Sequence, residues 1–153
     1  ESDIGALLRE GTAGTLRNFV VTGFGDPGLT VDMDATVEQA ELEELIVTNS
    51  LFYNNGPTGE ENFGVGSNVT VNFDTEEWMM EEGKMNRQNV DPELRDPFNT
   101  VAPDWRPHLE SPVLNVNYVA SPPDDGFFEP VFFIGAVGPW HDWTVGWTTS
   151  APN

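Results

Sequence analysis

The 153-residue sequence contains no cysteine and only six lysine and arginine residues. Without cysteine, the chain forms no disulfide, no thiolate nucleophile and none of the common cysteine-ligated zinc sites. The few basic side chains are opposed by 26 aspartates and glutamates, which gives a formal net charge of −20 at pH 7. Such a surface repels nucleic-acid phosphates and anionic lipid headgroups, so we expect no nucleic-acid partner and no attraction to a membrane surface.

Long apolar runs and a signal peptide are also missing. No stretch approaches the roughly 18 apolar residues that a membrane helix needs, which predicts no direct membrane insertion. Because the sequence begins with Glu1 rather than methionine, we expect a processed product or a fragment whose targeting segment has been removed. These features fit a secreted bacterial protein that is extracellular, on the cell surface or in the periplasm.

Glycine and proline, in contrast, are plentiful. Fifteen glycines and twelve prolines punctuate a chain that is 38% hydrophobic. This pattern predicts one mainly-β domain, in which many short strands are joined by turns around an apolar core.

A sequence repeat indicates how these strands are arranged. The pattern LxxFxVT at 16–22 returns as LxxLxVT at 42–48, and a weaker copy, VT, stands at 69–70. A spacing of this size is about one coil of a parallel β-helix. We therefore expect about three coils, with Val21 beside Val47 in adjacent parallel strands; a β-sandwich of short strands is the alternative. The residues expected to share one core are Phe19, Val21, Leu45, Val47 and Val69.

Two segments have a helical pattern. In 34–46 apolar residues alternate with acids behind a potential N-cap, Asp34, and the overlap with the repeat predicts that this helix ends near Glu41. In 74–86, Asp74 and Glu77 have capping-box spacing, and Gly83 is the expected stop. We expect Trp78 and Met79 to pack against the coils.

Proline becomes dense from Pro92 onward. Such a density is incompatible with a second helical domain, but it allows edge strands and extended segments. We therefore expect residues 1–91 to form coils with helical insertions. Residues 92–153 then form an extended capping segment of the same domain, which folds back along the coils and closes their open end.

Several short motifs resemble those of secreted bacterial surface proteins. They are DWRP at 104–107 with SPVLN at 111–115, FIGA at 133–136 with DWTVGWT at 142–148, and NSLF at 49–52. Together they are similar to the "D-[FW]-R…SPAI[DN]" and "YIGAF…DWTxGWT" endings of uncharacterised right-handed parallel β-helix surface proteins from Bacteroidota and Gemmatimonadota-like bacteria. The resemblance implies that this chain is the C-terminal region of a longer scaffold, and it carries no catalytic residue.

Four carboxylates close in sequence are candidate calcium ligands. Asp26, Asp32, Asp34 and Glu38 lie within thirteen residues, and calcium prefers several carboxylate and carbonyl oxygens. The spacing matches no EF-hand loop, so the alternative is a solvated acidic face. No other cofactor is predicted.

Three tryptophans near the C-terminus are candidates for contact with a sugar or a protein partner. Trp140, Trp143 and Trp147 are close in sequence, and the last two share one face if the chain there is extended. The alternative is that these rings are buried in the C-terminal cap.

Nothing in the sequence predicts catalysis. His108 and His141 are the only histidines, and no nucleophile motif accompanies them. Polysaccharide lyases and glycosidases share the β-helix fold, but six basic residues are few for binding a polyanion. We therefore predict a non-catalytic extracellular structural protein, a surface or filament building block whose partners are other copies or a larger assembly. The alternatives are a carbohydrate-binding module and an accessory subunit on the outer side of a membrane complex.

Overall fold

Short strands dominate the computed structural model, which describes residues 3–146 and 148. The strands are β1 (Ala6–Leu8), β2 (Gly14–Arg17), β3 (Val20–Thr22), β4 (Leu29–Val31), β5 (Leu45–Thr48), β6 (Leu51–Tyr53), β7 (Phe63–Val65), β8 (Arg87–Gln88), β9 (Leu94–Asp96) and β10 (Asp104–Pro107). The helices are α1 (Asp34–Glu41) and α2 (Thr75–Met79), and 3-10 turns cover Pro112–Leu114 and Val116–Tyr118. The mainly-β composition of the chain agrees with the sequence prediction.

The first eight strands form three small parallel sheets. These have the strand orders β1-β4-β7, β2-β5 and β3-β6-β8, whereas β9 and β10 make a separate antiparallel pair. The chain therefore visits the three sheets in turn, as β1-β2-β3 and then β4-β5-β6. A third pass adds β7 to the first sheet and β8 to the third. Every step between paired parallel strands is thus a crossover rather than a hairpin.

The register differs from the predicted repeat. Val21 pairs with Phe52 and Val47 pairs with Leu16, so the two valines lie in different sheets. Paired residues of the first two passes are 31 positions apart in the second and third sheets and 23 apart in the first sheet, instead of 26 throughout. The predicted repeat makes Leu42 equivalent to Leu16, whereas Leu42 follows α1 and is 62% exposed. The prediction failed because the apolar pattern of the strands alone does not fix how many residues the inserted helix and its turns occupy.

The predicted core is confirmed in spite of the register error. Val21, Leu45 and Val47 are buried in the main apolar cluster, and Phe19 and Val69 pack against it. Val69 does so from a loop, because the weak third copy of the repeat at 69–70 is not a strand.

A left-handed turn precedes the strand of the third sheet in each pass. Asn18, Asn49 and Met85 occupy equivalent positions there, with φ of 61°, 54° and 59°. Asparagine adopts this region more readily than most non-glycine residues because its short amide can bond locally. The left-handed backbone of this turn therefore accounts for the presence of asparagine at positions 18 and 49.

Buried polar side chains connect successive passes beside these turns. The N–H of Phe19 donates to Oγ of Ser50 (3.1 Å), and the N–H of Ser50 donates to Oδ1 of Asn86 (3.0 Å). At a different corner, between β6 and β7, Nδ2 of Asn55 donates to Oδ1 of Asn62 (2.8 Å) and to the carbonyl of Val21 in the first pass (3.0 Å). Since an unpaired polar group in the core would be costly, these bonds make buried amides compatible with the apolar stack.

The first helix confirms its predicted end but not its predicted cap. It stops at Glu41, as expected from the overlap with the following strand. The N-cap position is Met33, without a side-chain cap, and the carboxylate of Asp34 instead accepts bonds from the N–H and hydroxyl of Thr70. The loop after β7 is therefore fastened to the start of α1.

The second helix is capped as predicted but is shorter. The side chain of Asp74 accepts a bond from the N–H of Glu77 (3.0 Å), and the helix ends at Met79 instead of reaching Gly83. Trp78 and Met79 are buried in the main cluster, which confirms their predicted packing. Among the helices of the described residues, none has the length and apolar character needed to cross a bilayer.

The segment after Pro92 lies along the turn that contains Asn18 and Asn49. The Asn18 amide exchanges two hydrogen bonds with the backbone of Ala120, both of 2.9 Å, and Asn49 donates to the carbonyl of Tyr118 (3.0 Å). A second apolar cluster contains Leu51, Val113 and Ile134, all of them buried. The apolar runs at 113–119 and 131–137 form turns and bends, not the edge strands that we considered from the sequence.

Candidate functional site

Two cavities lie on opposite sides of β10, and residues 140–145 contribute to the walls of both. Side chains alternate along a strand, so Trp105 faces one cavity while Asp104 and Arg106 face the other. We call the first cavity the aromatic groove; its walls include Val20, Phe24, Phe98, Trp105, Ile134 and Trp143. We call the second the Trp140 cleft; its walls include Pro103, Asp104, Arg106, Trp140, His141 and Asp142.

The aromatic groove has a volume of about 390 Å³ and is largely apolar. Trp143 forms part of its wall with 48% of its surface exposed, and its Nε1–H donates to the carbonyl of Ala136 (2.7 Å). The ring is therefore fixed at one end and open to solvent along part of its face. Phe98, at 60% exposure, is similarly open.

The Trp140 cleft has a volume of about 590 Å³ and contains charged groups of both signs. Arg106 donates from Nε to Oδ1 of Asp104 (2.8 Å) and from Nη2 to Oδ2 of Asp104 (2.6 Å), which is a bidentate pair. These bonds lower the pKa of the Asp104 carboxyl below its ordinary value. They also raise the pKa of Arg106, to which the negative charge of Asp142 contributes. Both side chains are thus charged and oriented at neutral pH.

The other wall of the cleft is equally ordered. Oδ1 of Asp142 accepts bonds from the N–H (2.9 Å) and the hydroxyl (2.6 Å) of Thr144, an Asx-type turn that fixes the carboxylate. Trp140 stands beside it with 82% of its surface exposed. The cleft therefore combines an open indole with a fixed carboxylate and a fixed guanidinium.

The three predicted tryptophans do not form one surface. Trp140 lines the cleft and Trp143 lines the groove, while Trp147 lies outside the described residues. The extended chain considered for 143–147 is not observed in its described part, where residues 143–146 form a turn closed by a bond from the N–H of Val145 to the carbonyl of Asp142 (3.4 Å). Trp140 is also not buried in a cap, so the packing alternative is wrong for that ring.

The four candidate calcium ligands have different surroundings. Asp32 is buried and accepts bonds from the backbone and side chain of Asn68, which lower its pKa. The bonds from Thr70 lower the pKa of Asp34 in the same way, whereas Asp26 and Glu38 are exposed. Across residues 3–146 and 148, no group of three or more acidic or histidine side chains is placed to hold a metal ion. Calcium binding stays a prediction, which a chelator titration of the melting temperature would test.

The polar residues of the cleft were missed as a site from the sequence. Asp104 and Arg106 belong to the motif DWRP and Asp142 belongs to the motif DWTVGWT, and neither motif alone predicts a polar site. An available signal was the i, i+2 spacing of opposite charges around Trp105, which places both on one face of a strand. The contribution of residues 139–146 had no such signal, because it depends on how the segment folds back.

His141 also borders the cleft, whereas His108 is exposed elsewhere and donates its backbone N–H to Glu93. The structure therefore does not bring the two histidines into one site. Comparisons of this chain with protein-family models, with curated proteins and with solved structures gave no match.

Proposed function

We propose that this chain is a non-catalytic extracellular structural protein, whose coils belong to a parallel β-helix and which is a building block of a surface or filament assembly. The parallel register of all three sheets supports the coil arrangement, as does the turn of equivalent residues that recurs in each pass. The bonds of Asn18 and Asn49 to the C-terminal segment support a covering role for residues after 92.

One observation carries the assembly role. Within the described residues β1, β2 and β3 each pair on one side only, so three adjacent parallel edges are open at the start of the stack. Gly14 donates its N–H to Glu44 in the neighbouring pass (2.7 Å). Because parallel pairing uses alternate residues, the N–H of Thr15 points to the open side. Unpaired strand edges of this kind accept further strands, whether from the same chain or from another copy.

The charge of −20 sets the condition for such stacking. Like-charged copies repel each other at low salt, and salt shortens the range of that repulsion from about 10 Å at 0.1 M to about 3 Å at 1 M. We therefore expect rod-like particles whose length rises with ionic strength.

The test compares the wild type with two substitutions at the open edge. Thr15→Pro removes the free N–H from a position that does not bond to β5, whereas Thr15→Ala keeps it and is the matched control. Light scattering and electron microscopy between low and high salt should show rods for the wild type and Thr15→Ala, and monomers for Thr15→Pro. Circular dichroism first establishes that Thr15→Pro is folded. A wild-type protein that stays monomeric up to 1 M salt would contradict the proposal.

A further inference from the structure

We propose that the Trp140 cleft binds a neutral pyranose sugar, which stacks on the indole of Trp140 and hydrogen-bonds to Arg106 and Asp142. This binding site goes beyond the structural role proposed above and does not depend on assembly of the chain.

The first element of the argument is the aromatic surface. Trp140 is 82% exposed, so most of its indole surface is available to a ligand. The face of an aromatic ring carries the negative part of its quadrupole. The C–H groups on one side of a pyranose ring are apolar and slightly positive, so they fit this surface in shape and in charge.

The second element is the pair of polar groups beside the ring. Arg106 is held by Asp104 through Nε and Nη2, and Asp142 is held by Thr144 through Oδ1. Among the described residues, neither Nη1 of Arg106 nor Oδ2 of Asp142 has a hydrogen-bond partner. One unused donor and one unused acceptor therefore remain on side chains that are already oriented. Adjacent sugar hydroxyls, which both donate and accept, match such a pair, and preorganised groups lose little entropy on binding.

Charge selects among sugars. At the cleft, Asp104 pairs with Arg106 and lies 4.0 Å from Arg95, so Asp104 and Asp142 are balanced by two arginines, and the negative excess is that of the whole chain, whose net charge is −20. Uronic acids and sulfated sugars are repelled by this field. A purely apolar ligand would leave Arg106 and Asp142 desolvated without partners, which is costly. A neutral sugar is not repelled by the negative charge, and its hydroxyls give Arg106 and Asp142 hydrogen-bond partners.

The test measures binding of three hexasaccharides to the intact chain. Cellohexaose and mannohexaose are the neutral probes and oligogalacturonate is the anionic one, with saturation-transfer NMR and isothermal titration calorimetry as readouts. We expect a neutral hexasaccharide to bind with transfer from indole protons, and oligogalacturonate to bind at least about tenfold more weakly. Absence of binding by both neutral probes overturns the proposal, as does stronger binding of the anionic one.

Substitutions then locate the site. Trp140→Ala should weaken binding at least about tenfold, whereas Trp140→Phe keeps an aromatic face and should stay within about threefold. Phe132→Ala removes an aromatic ring of comparable exposure (74%) outside the cleft and should have no effect. Asp142→Asn should weaken binding less than Trp140→Ala, because an amide still offers one acceptor. If Trp140→Ala binds like the wild type, or if Phe132→Ala weakens binding equally, the sugar does not bind in this cleft.

Discussion

Residues 6–88 and the segment from Pro92 onward are held in place by different interactions. Only two of the twelve prolines precede residue 92, and the strands there pair through backbone bonds over a buried apolar core. The other ten prolines come later, where backbone donors are fewer and the described strands are limited to β9 and β10. Since proline has no N–H, this part of the chain offers mainly carbonyl oxygens to its neighbours.

The scarce basic residues meet this need. Arg17 donates to the carbonyl of Ser121 (2.9 Å), Arg87 to that of Pro112 (3.1 Å) and Arg95 to that of Pro139 (3.1 Å). Arg17 and Arg87 thus tie the first region to carbonyls of the C-terminal segment, and Arg95 joins two parts of that segment, although the chain has 26 carboxylates. The comparison teaches that basic residues in this acidic chain serve to fasten the segment as well as to form ion pairs.

The largest expected effect is on the core of the first region. Phe52 is fully buried and packs edge-to-face on Phe63, with ring centroids 4.8 Å apart. Phe52→Ala should lower the free energy of unfolding by about 3–5 kcal/mol, because it removes a large side chain and leaves a cavity. Urea denaturation followed by far-ultraviolet circular dichroism measures the loss. Phe132→Ala, at an exposed position of the second region, should change the same quantity by less than about 0.5 kcal/mol.

The next effect concerns the turn that joins the two regions. Asn18→Ala should lower the free energy of unfolding by about 2 kcal/mol, because it loses two bonds to Ala120 and places alanine at φ 61°. Asn18→Gly loses the same bonds without the backbone cost. It should therefore be more stable than Asn18→Ala while releasing the segment around Ala120 to the same extent. Hydrogen exchange at residues 116–121 reports that release, and equal protection in all three proteins would contradict the role of the amide.

A smaller effect is expected where a basic side chain fastens the segment. Arg87 bonds to Pro112 and stacks over the ring of Tyr118 at 4.2 Å. Arg87→Ala should lower the free energy of unfolding by about 1–2 kcal/mol and speed proteolytic cleavage near residue 120. Arg9→Ala is the control, because Arg9 is exposed and its ion-pair partner is the adjacent Glu10. Equal effects of Arg87→Ala and Arg9→Ala would contradict the role of Arg87 in fastening the C-terminal segment.

The smallest effect is on the pH dependence of the first region. Bonds from Asn68 lower the folded-state pKa of Asp32, so its contribution to stability is present above about pH 4 and is lost as the pH falls through the lowered value. Asp32→Asn should therefore lose less stability than the wild type on acidification from pH 4 to pH 2. Glu38→Gln, at an exposed position of α1, should follow the wild-type curve. Coincident curves for Asp32→Asn and the wild type, in urea melts at each pH, would refute this role.

Local features were predictable from the sequence because neighbours in the chain decide them. The end of α1 at Glu41, the cap at Asp74 and the burial of Trp78 and Met79 follow from spacing within a few residues. The apolar character of Phe19, Val21, Leu45 and Val47 likewise placed them in one core. Burial depends on the alternation of side chains within each strand, which short sequence windows contain.

The register and the site were decided by tertiary structure. Val21 lies beside Phe52 instead of Val47. The connection between β4 and β5 contains α1, and the packing of this helix decides which residues of β5 and β6 come to lie beside the first pass. No short sequence pattern encodes that register. Asp34 bonds to Thr70 instead of capping its helix because a distant loop supplies better-placed donors. The Trp140 cleft, too, exists only because the segment after residue 139 returns to β10 and sets Asp142 near Arg106. These contacts join residues tens of positions apart, so their geometry depends on the packed chain and not on local preference.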